Sequence, residues 1–100
     1  MIRDSRMLTA AFEWAEEKSA RNLRDRGFDF AFATALFDNP VLESEQTRRD
    51  YGEPRIKAIG SIGNECFVVI YTPRGEKRRI ISARPASRRE RNDYRSTHPS

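Results

Sequence analysis

Residues 65–72 read Glu-Cys-Phe-Val-Val-Ile-Tyr-Thr, with apolar side chains running unbroken from Cys66 to Tyr71. A short apolar run rich in β-branched and aromatic residues is a strand. In a strand, successive side chains point to opposite faces, so neither face of this one can be left in water. It must sit centrally in a sheet and be covered twice. Turn signals bracket it, Gly63-Asn64 before and Pro73-Arg74-Gly75 after, and each suits a hairpin. The flanking segments therefore read as its partners. RIKAIGSIG (55–63) places Ile56, Ala58, Gly60 and Ile62 on one face. KRRIISAR (77–84) is the last strand, and Pro85 stops it. VLESEQ (41–46) alternates enough to make a further strand, with TRRDYGEP (47–54) as a turn-rich loop between.

The N-terminal part supplies the cover. LTAAFEW (8–14) is expected as a short strand with Phe12 and Trp14 on one face. AEEKSARNLRDRG follows as a helix, with Glu17 and Arg21 spaced as a supportive pair and Gly27 as its C-cap. FDFAFATALFDNP (28–40) predicts a second helix, N-capped by Asp29 and ended by Pro40. Its rows Phe28, Phe32, Ala35, Leu36 and Phe30, Ala33, Phe37 make it apolar on most sides, as expected of a widely buried helix or one facing a partner. Ser87 and Glu90 match a capping box opening a final helix over 86–95. Only Ala86 and Tyr94 are apolar there, so that helix is loosely held or completed by another chain. The expected order is β-α-α-β-β-β-β-α, an α+β domain whose antiparallel sheet is covered by helices on one face. A chain of 100 residues makes a single domain, 1–100, with an ordered part of about 7–95 and disordered ends at 1–6 and 96–100.

Charge is unevenly spread along this frame. Residues 1–73 hold ten Lys/Arg and twelve Asp/Glu, whereas 74–100 hold nine and three, which moves the balance from −2 to +6. Such asymmetry suits either an anionic partner or a solvated basic face. No apolar run approaches the ~18 residues of a membrane span, and the N-terminal stretch lacks a secretory core. The lone Cys66 excludes a disulfide framework, so a reducing cytoplasm is the expected compartment.

The arginines of RRIISARPASRRER (78–91) are the first candidates for chemistry. Strict alternation puts Arg78, Ile80, Ser82 and Arg84 on one face and Lys77, Arg79, Ile81 and Ala83 on the other. Arginine suits bidentate phosphate recognition, while a charged edge strand that blocks aggregation accounts for the same residues. Lys18 stands four residues after Trp14, as a base, an anion clamp or a plain exposed helix lysine. Glu90 either completes the capping box or moves protons. Tyr94, one turn further, either packs the helix or stacks on a base. His98, the only histidine, is in the expected tail. There is no Ser-His-Asp or Cys-His arrangement, no carboxylate spacing for a metal and no glycine-rich phosphate loop, so no cofactor is expected.

Several stretches together resemble the BrnT-type toxins of bacterial type II toxin–antitoxin systems. They are FEWAEEKSARNL (12–23), RGFDFAFATALFDNP (26–40), GEPRIKAIG (52–60), VVIYTPRG (68–75) and RRIISARPASRRERNDY (78–94), in family order. The resemblance implies a compact RelE-like fold and a metal-independent ribonuclease that restrains translation. It also implies a BrnA-type ribbon-helix-helix antitoxin, through which alone operator DNA would be bound. By position, it implies catalytic roles for Lys18, Arg55, Arg79, Arg84 and Glu90. RNA contacts are then expected from Arg78, Arg88, Arg91 and Tyr94, and antitoxin contacts from Phe32, Leu36 and Phe37. The chain departs from the family pattern at Ala15, where Asp is usual, at Asp25-Arg26-Gly27, where Lys-His-Gly is usual, and at Pro85, where a basic residue is usual. Those departures keep open a non-catalytic module that binds nucleic acid or the antitoxin.

Overall fold

The computed structural model describes residues 11–46 and 52–98. The start of the strand expected at 8–14, the end at 1–6, most of the loop at 47–54 and the last two residues lie outside them. The elements are β1 (Phe12–Glu13), α1 (Glu16–Arg26), α2 (Phe30–Ala33) continued by a 3-10 turn (Thr34–Asp38), β2 (Leu42–Gln46), β3 (Arg55–Ile62), β4 (Glu65–Arg74), β5 (Lys77–Pro85) and α3 (Arg88–Thr97). This is the expected order. The second helix differs in being a single α-turn that tightens into a 3-10 segment. Asp29 caps it by accepting from the Phe32 N–H. The final helix continues to Thr97, so residues 96–98, expected in a disordered end, are structured.

The sheet order is β1-β5-β4-β3-β2. β2 to β5 form the antiparallel meander. β1 adds to β5 in parallel, so the whole sheet is mixed. A parallel neighbour requires a crossover, and here everything from α1 to β4 lies between the two strands in sequence. β4 is central, and both its faces are covered. Phe67, Val69 and Tyr71 join Ala58, Ile80 and Ala83 under Phe30, Ala33 and Leu36. Cys66 and Val68 join Ile59, Ala86 and Tyr94 on the other side. The helices therefore do not share one face, as the sequence suggested: α2 covers the first and α3 the second. A doubly apolar central strand requires this, because a one-sided arrangement would leave Val68 in water.

α3 is held with few apolar groups. Ser87 and Glu90 form the reciprocal capping box. The Tyr94 hydroxyl donates to the Pro40 carbonyl at 2.8 Å, and the ring stacks on His98 at 4.7 Å. Polar ties thus add to the sparse apolar face in seating the helix.

A candidate RNA-binding face

Pairing on β5 does not keep strict alternation. Thr72 lies opposite Arg79, Tyr71 opposite Ile80, and then Ile70 opposite Ser82 and Val68 opposite Arg84. Ile81 is the extra residue of a β-bulge, and a bulge shifts every later side chain to the other face. Ile80 and Ala83 therefore both enter the same core. Arg79, Ser82 and Arg84 all stand opposite the α3-facing positions Thr72, Ile70 and Val68. Strict alternation had separated Arg79 from Arg84. The bulge puts them on one face, roughly 13 Å apart along the strand at ~3.3 Å per residue.

β3 contributes to the same face. Lys57 lies opposite Ile70, and Arg55, two residues earlier, faces the same way. Thr72, wholly buried between these positions, donates its hydroxyl to the Pro54 carbonyl at the entry to β3. Nothing in the sequence reading singled out Lys57. The signal was nonetheless present, since a strand with Ile56, Ala58 and Gly60 on its core side must turn Arg55 and Lys57 to the other.

Glu90 organises this face. Arg84 grips it bidentately, Nη1 to Oε1 at 2.8 Å and Nη2 to Oε2 at 2.9 Å. Lys57 Nζ reaches Oε2 at 2.7 Å. The Ser87 N–H donates to Oε1 at 2.8 Å. Charge-assisted bonds of this kind favour the ionised form. The Arg84 bonds are the main reason that the Glu90 carboxyl is held well below the usual carboxylate range, with Lys57 and the Ser87 N–H adding to the effect against the opposing cost of burial. The same pair raises Arg84. A carboxylate so heavily bonded is a weak proton acceptor, and its geometry is that of a counterion. A second carboxylate does similar work at the far end. Glu13, beside Arg79 in the β1–β5 pairing, accepts from Arg79 at 3.2 Å and lies 3.7 Å from Arg74 Nε.

The other expected site residues are dispersed. Lys18 is exposed on α1 and has no ion pair among the described residues; with Ile81 and Ser82 it lines a hollow of about 190 Å³ at the border of β5. Arg78 is on the opposite face, its guanidinium 4.5 Å from the Phe37 ring centre and 5.4 Å from that of Tyr71. Arg88 is exposed on the first turn of α3, and Arg91 donates to the Ala86 carbonyl. Tyr94 is buried, with its hydroxyl and its ring engaged as described above. Of the residues expected to meet a partner, Leu36 is fully buried in the core, Phe37 packs against Phe12 and Tyr71, and Phe32 is 43% exposed. Phe32 lines a hollow of about 460 Å³ with the apolar Leu23, Phe28, Phe67 and Pro85 and the charged Arg26, Asp29 and Glu65. Arg26, at the position where the resembled family has histidine, donates to the Ala83 carbonyl at 2.9 Å and to Asn22 at 3.2 Å, closing part of the β5 edge. Among the described residues no group of acidic, histidine and cysteine side chains is arranged to hold a metal, and no helix is long and apolar enough to cross a membrane.

The model of one protein family matches residues 14–90, that of the BrnT ribonuclease toxin of type II toxin–antitoxin systems. No curated protein matches the chain. A match over that much of the sequence shows membership: the chain belongs to the BrnT ribonuclease-toxin family, whose members work with an antitoxin.

Proposed function

We propose that this BrnT-family chain is itself an active endoribonuclease, and that the face carrying Arg55, Arg79 and Arg84 receives the RNA. The observation that supports this most is the bulge at Ile81. It brings Arg79 and Arg84 of β5 onto one face, the face to which the alternation of β3 already turns Arg55 and Lys57. In the reaction, the 2′-oxygen of the RNA attacks the adjacent phosphorus, the P–O5′ bond breaks, and a 2′,3′-cyclic phosphate and a 5′-hydroxyl result. The 2′-hydroxyl loses its proton and the 5′-oxygen gains one. Negative charge builds on the phosphoryl oxygens in between, and fixed guanidinium groups stabilise it without reorganising. Arg79 and Arg84 supply that stabilisation. Lys18, at the border of the face, is the candidate base or an outer clamp. Arg88 and Arg91 extend the basic surface along α3.

Cleavage of cellular RNA by such a site would restrain translation in the cytoplasm. The antitoxin is proposed to be of the BrnA ribbon-helix-helix type, binding operator DNA on behalf of the pair. The exposed Phe32 and its hollow are the surface proposed for it. Large exposed apolar groups of this kind mark interaction sites.

The test is incubation of the purified protein with RNA in EDTA. Cutting that falls by ~10²–10³-fold in Arg84→Ala, the usual loss for one charge-stabilising donor, supports the reading, and uncut RNA refutes it. A second reading, a module that binds RNA without cutting it, is favoured by Arg26. Its guanidinium is committed to the β5 backbone where the resembled family has a titratable histidine. RNA binding that weakens steeply with salt, without turnover, would establish that alternative.

A further inference from the structure

We propose that Lys57 is a further catalytic cation of this face, and that Glu90 is a positioning residue that holds Lys57 and Arg84 together to receive one phosphate. The proposal rests on the ribonuclease reading above and deepens it. Lys57 Nζ and Arg84 Nη2 share a single atom, Glu90 Oε2, at 2.7 and 2.9 Å. The two nitrogens are therefore separated by less than those two lengths combined. Two cations that close repel one another, and both side chains have rotamers that would carry them apart into solvent. The shared carboxylate keeps them adjacent. The capping box fixes that carboxylate in turn, because the Ser87 N–H holds Oε1. Glu90 thus anchors the cations of two strands, β3 and β5, to the start of α3.

The three side chains sum to one positive charge, which matches one phosphodiester. Lys57 and Arg84 stay partly exposed, at 26% and 35%, whereas Glu90 is only 11% exposed. The cations are the groups that an incoming phosphate meets, and the carboxylate lies behind them. Lys57 Nζ has three donors, and the ion pair with Glu90 uses one direction. The others are free to bond a non-bridging phosphoryl oxygen as its charge grows. Lys57 transfers no proton in this scheme. The proton from the 2′-hydroxyl passes to solvent or to another base, and the one gained by the 5′-oxygen comes from solvent.

The experiment compares the wild type with Lys57→Ala, Lys57→Arg and Glu90→Gln, each checked for folding by circular dichroism and urea unfolding. Two RNA oligonucleotides are used, one cleavable and one with 2′-O-methyl groups that block attack. Lys57→Ala is expected to lower kcat by ~10²-fold or more, as loss of a charge-stabilising donor does. Lys57→Arg is expected to recover much of that. On the blocked RNA, Lys57→Ala should lower the slope of log affinity against log salt by ~0.7, the value for one phosphate contact on a single strand. Glu90→Gln should lower kcat while leaving the shape of the pH–rate profile intact. An unchanged rate together with an unchanged salt slope in folded Lys57→Ala overturns the role of Lys57. Loss of one limb of the pH–rate profile in Glu90→Gln overturns the positioning role, since it marks a proton-transfer group. If the wild type cuts no RNA, the parent reading fails, and the salt slope on blocked RNA still decides whether Lys57 meets a phosphate.

Discussion

Gly60 packs directly against Leu36 and Val41, and Gly60→Ala tests the packing of the core. A methyl placed on Gly60 would stand 2.9 Å from Leu36 Cγ, 3.1 Å from its Cδ1 and 3.1 Å from Val41 Cγ1. Carbon atoms sit comfortably at ~3.5–4.0 Å, so Leu36 and Val41 must each move by roughly half an ångström. Leu36 is wholly buried, which leaves it nowhere cheap to go. Overpacking of this kind costs ~1–3 kcal/mol. Working against that, Gly60 is not among the glycines with positive φ. Alanine adopts its backbone without strain, and the stiffer unfolded chain returns ~0.4–1 kcal/mol. The overpacking term is the larger, and a net loss of ~1–2 kcal/mol is expected. At ~4–8 °C per kcal/mol for a domain of this size, the melting midpoint should fall clearly. Urea unfolding of Gly60→Ala, Leu36→Ala and the double variant isolates the contact. Leu36→Ala alone should cost ~2–5 kcal/mol. In that background the added methyl fills vacated space, so Gly60→Ala should become neutral or stabilising, a coupling of ~1 kcal/mol or more. A Gly60→Ala variant as stable as the wild type, or strict additivity in the double variant, would refute the argument.

Three further outcomes are expected. Ala15 is the N-cap of α1 and makes no side-chain cap bond, so Ala15→Asp should raise stability by ~0.5–1 kcal/mol, read as a higher melting midpoint. The folded Glu90 carboxyl is depressed, so its stabilisation is complete above the unfolded value of ~4.3 and is lost as pH falls through the folded one. The stability difference between wild type and Glu90→Gln should hold steady from neutral pH down to the unfolded value of ~4.3 and shrink progressively below it; a constant gap down to pH ~3 would contradict the linkage. Tyr94→Phe removes the bond to Pro40 and should cost ~1 kcal/mol while RNA cleavage is kept, whereas a stacking role for Tyr94 would show as lost cleavage.

Much of this fold follows from local chemistry in the chain. The unbroken apolar run at Cys66–Tyr71 demanded a central, twice-covered strand, and turn residues on both sides made its neighbours antiparallel. Ser87 and Glu90 marked the start of the last helix through a capping box that needs only a four-residue window. The side of the sheet that each helix would cover was not legible, because that choice depends on which face of β4 each apolar group finds. Nor was the parallel docking of β1, a pairing across more than sixty residues of intervening chain. The arginines of β5 show the division most sharply. Their presence, their strand and the proline that ends it could be read directly, but their faces could not. A one-residue bulge at Ile81 inverts the alternation, and only pairing against β4 and packing of both Ile80 and Ala83 into the core require it. Lys57 is the complementary case: its outward direction was implicit in the alternation of β3, but its meeting with Arg84 and Glu90 required three distant segments to fold together. Sequence alone determined the elements and the basic stock of the site. Tertiary structure decided which charges share a face, because side-chain direction in a strand is fixed by register, and register is a property of the sheet rather than of the strand.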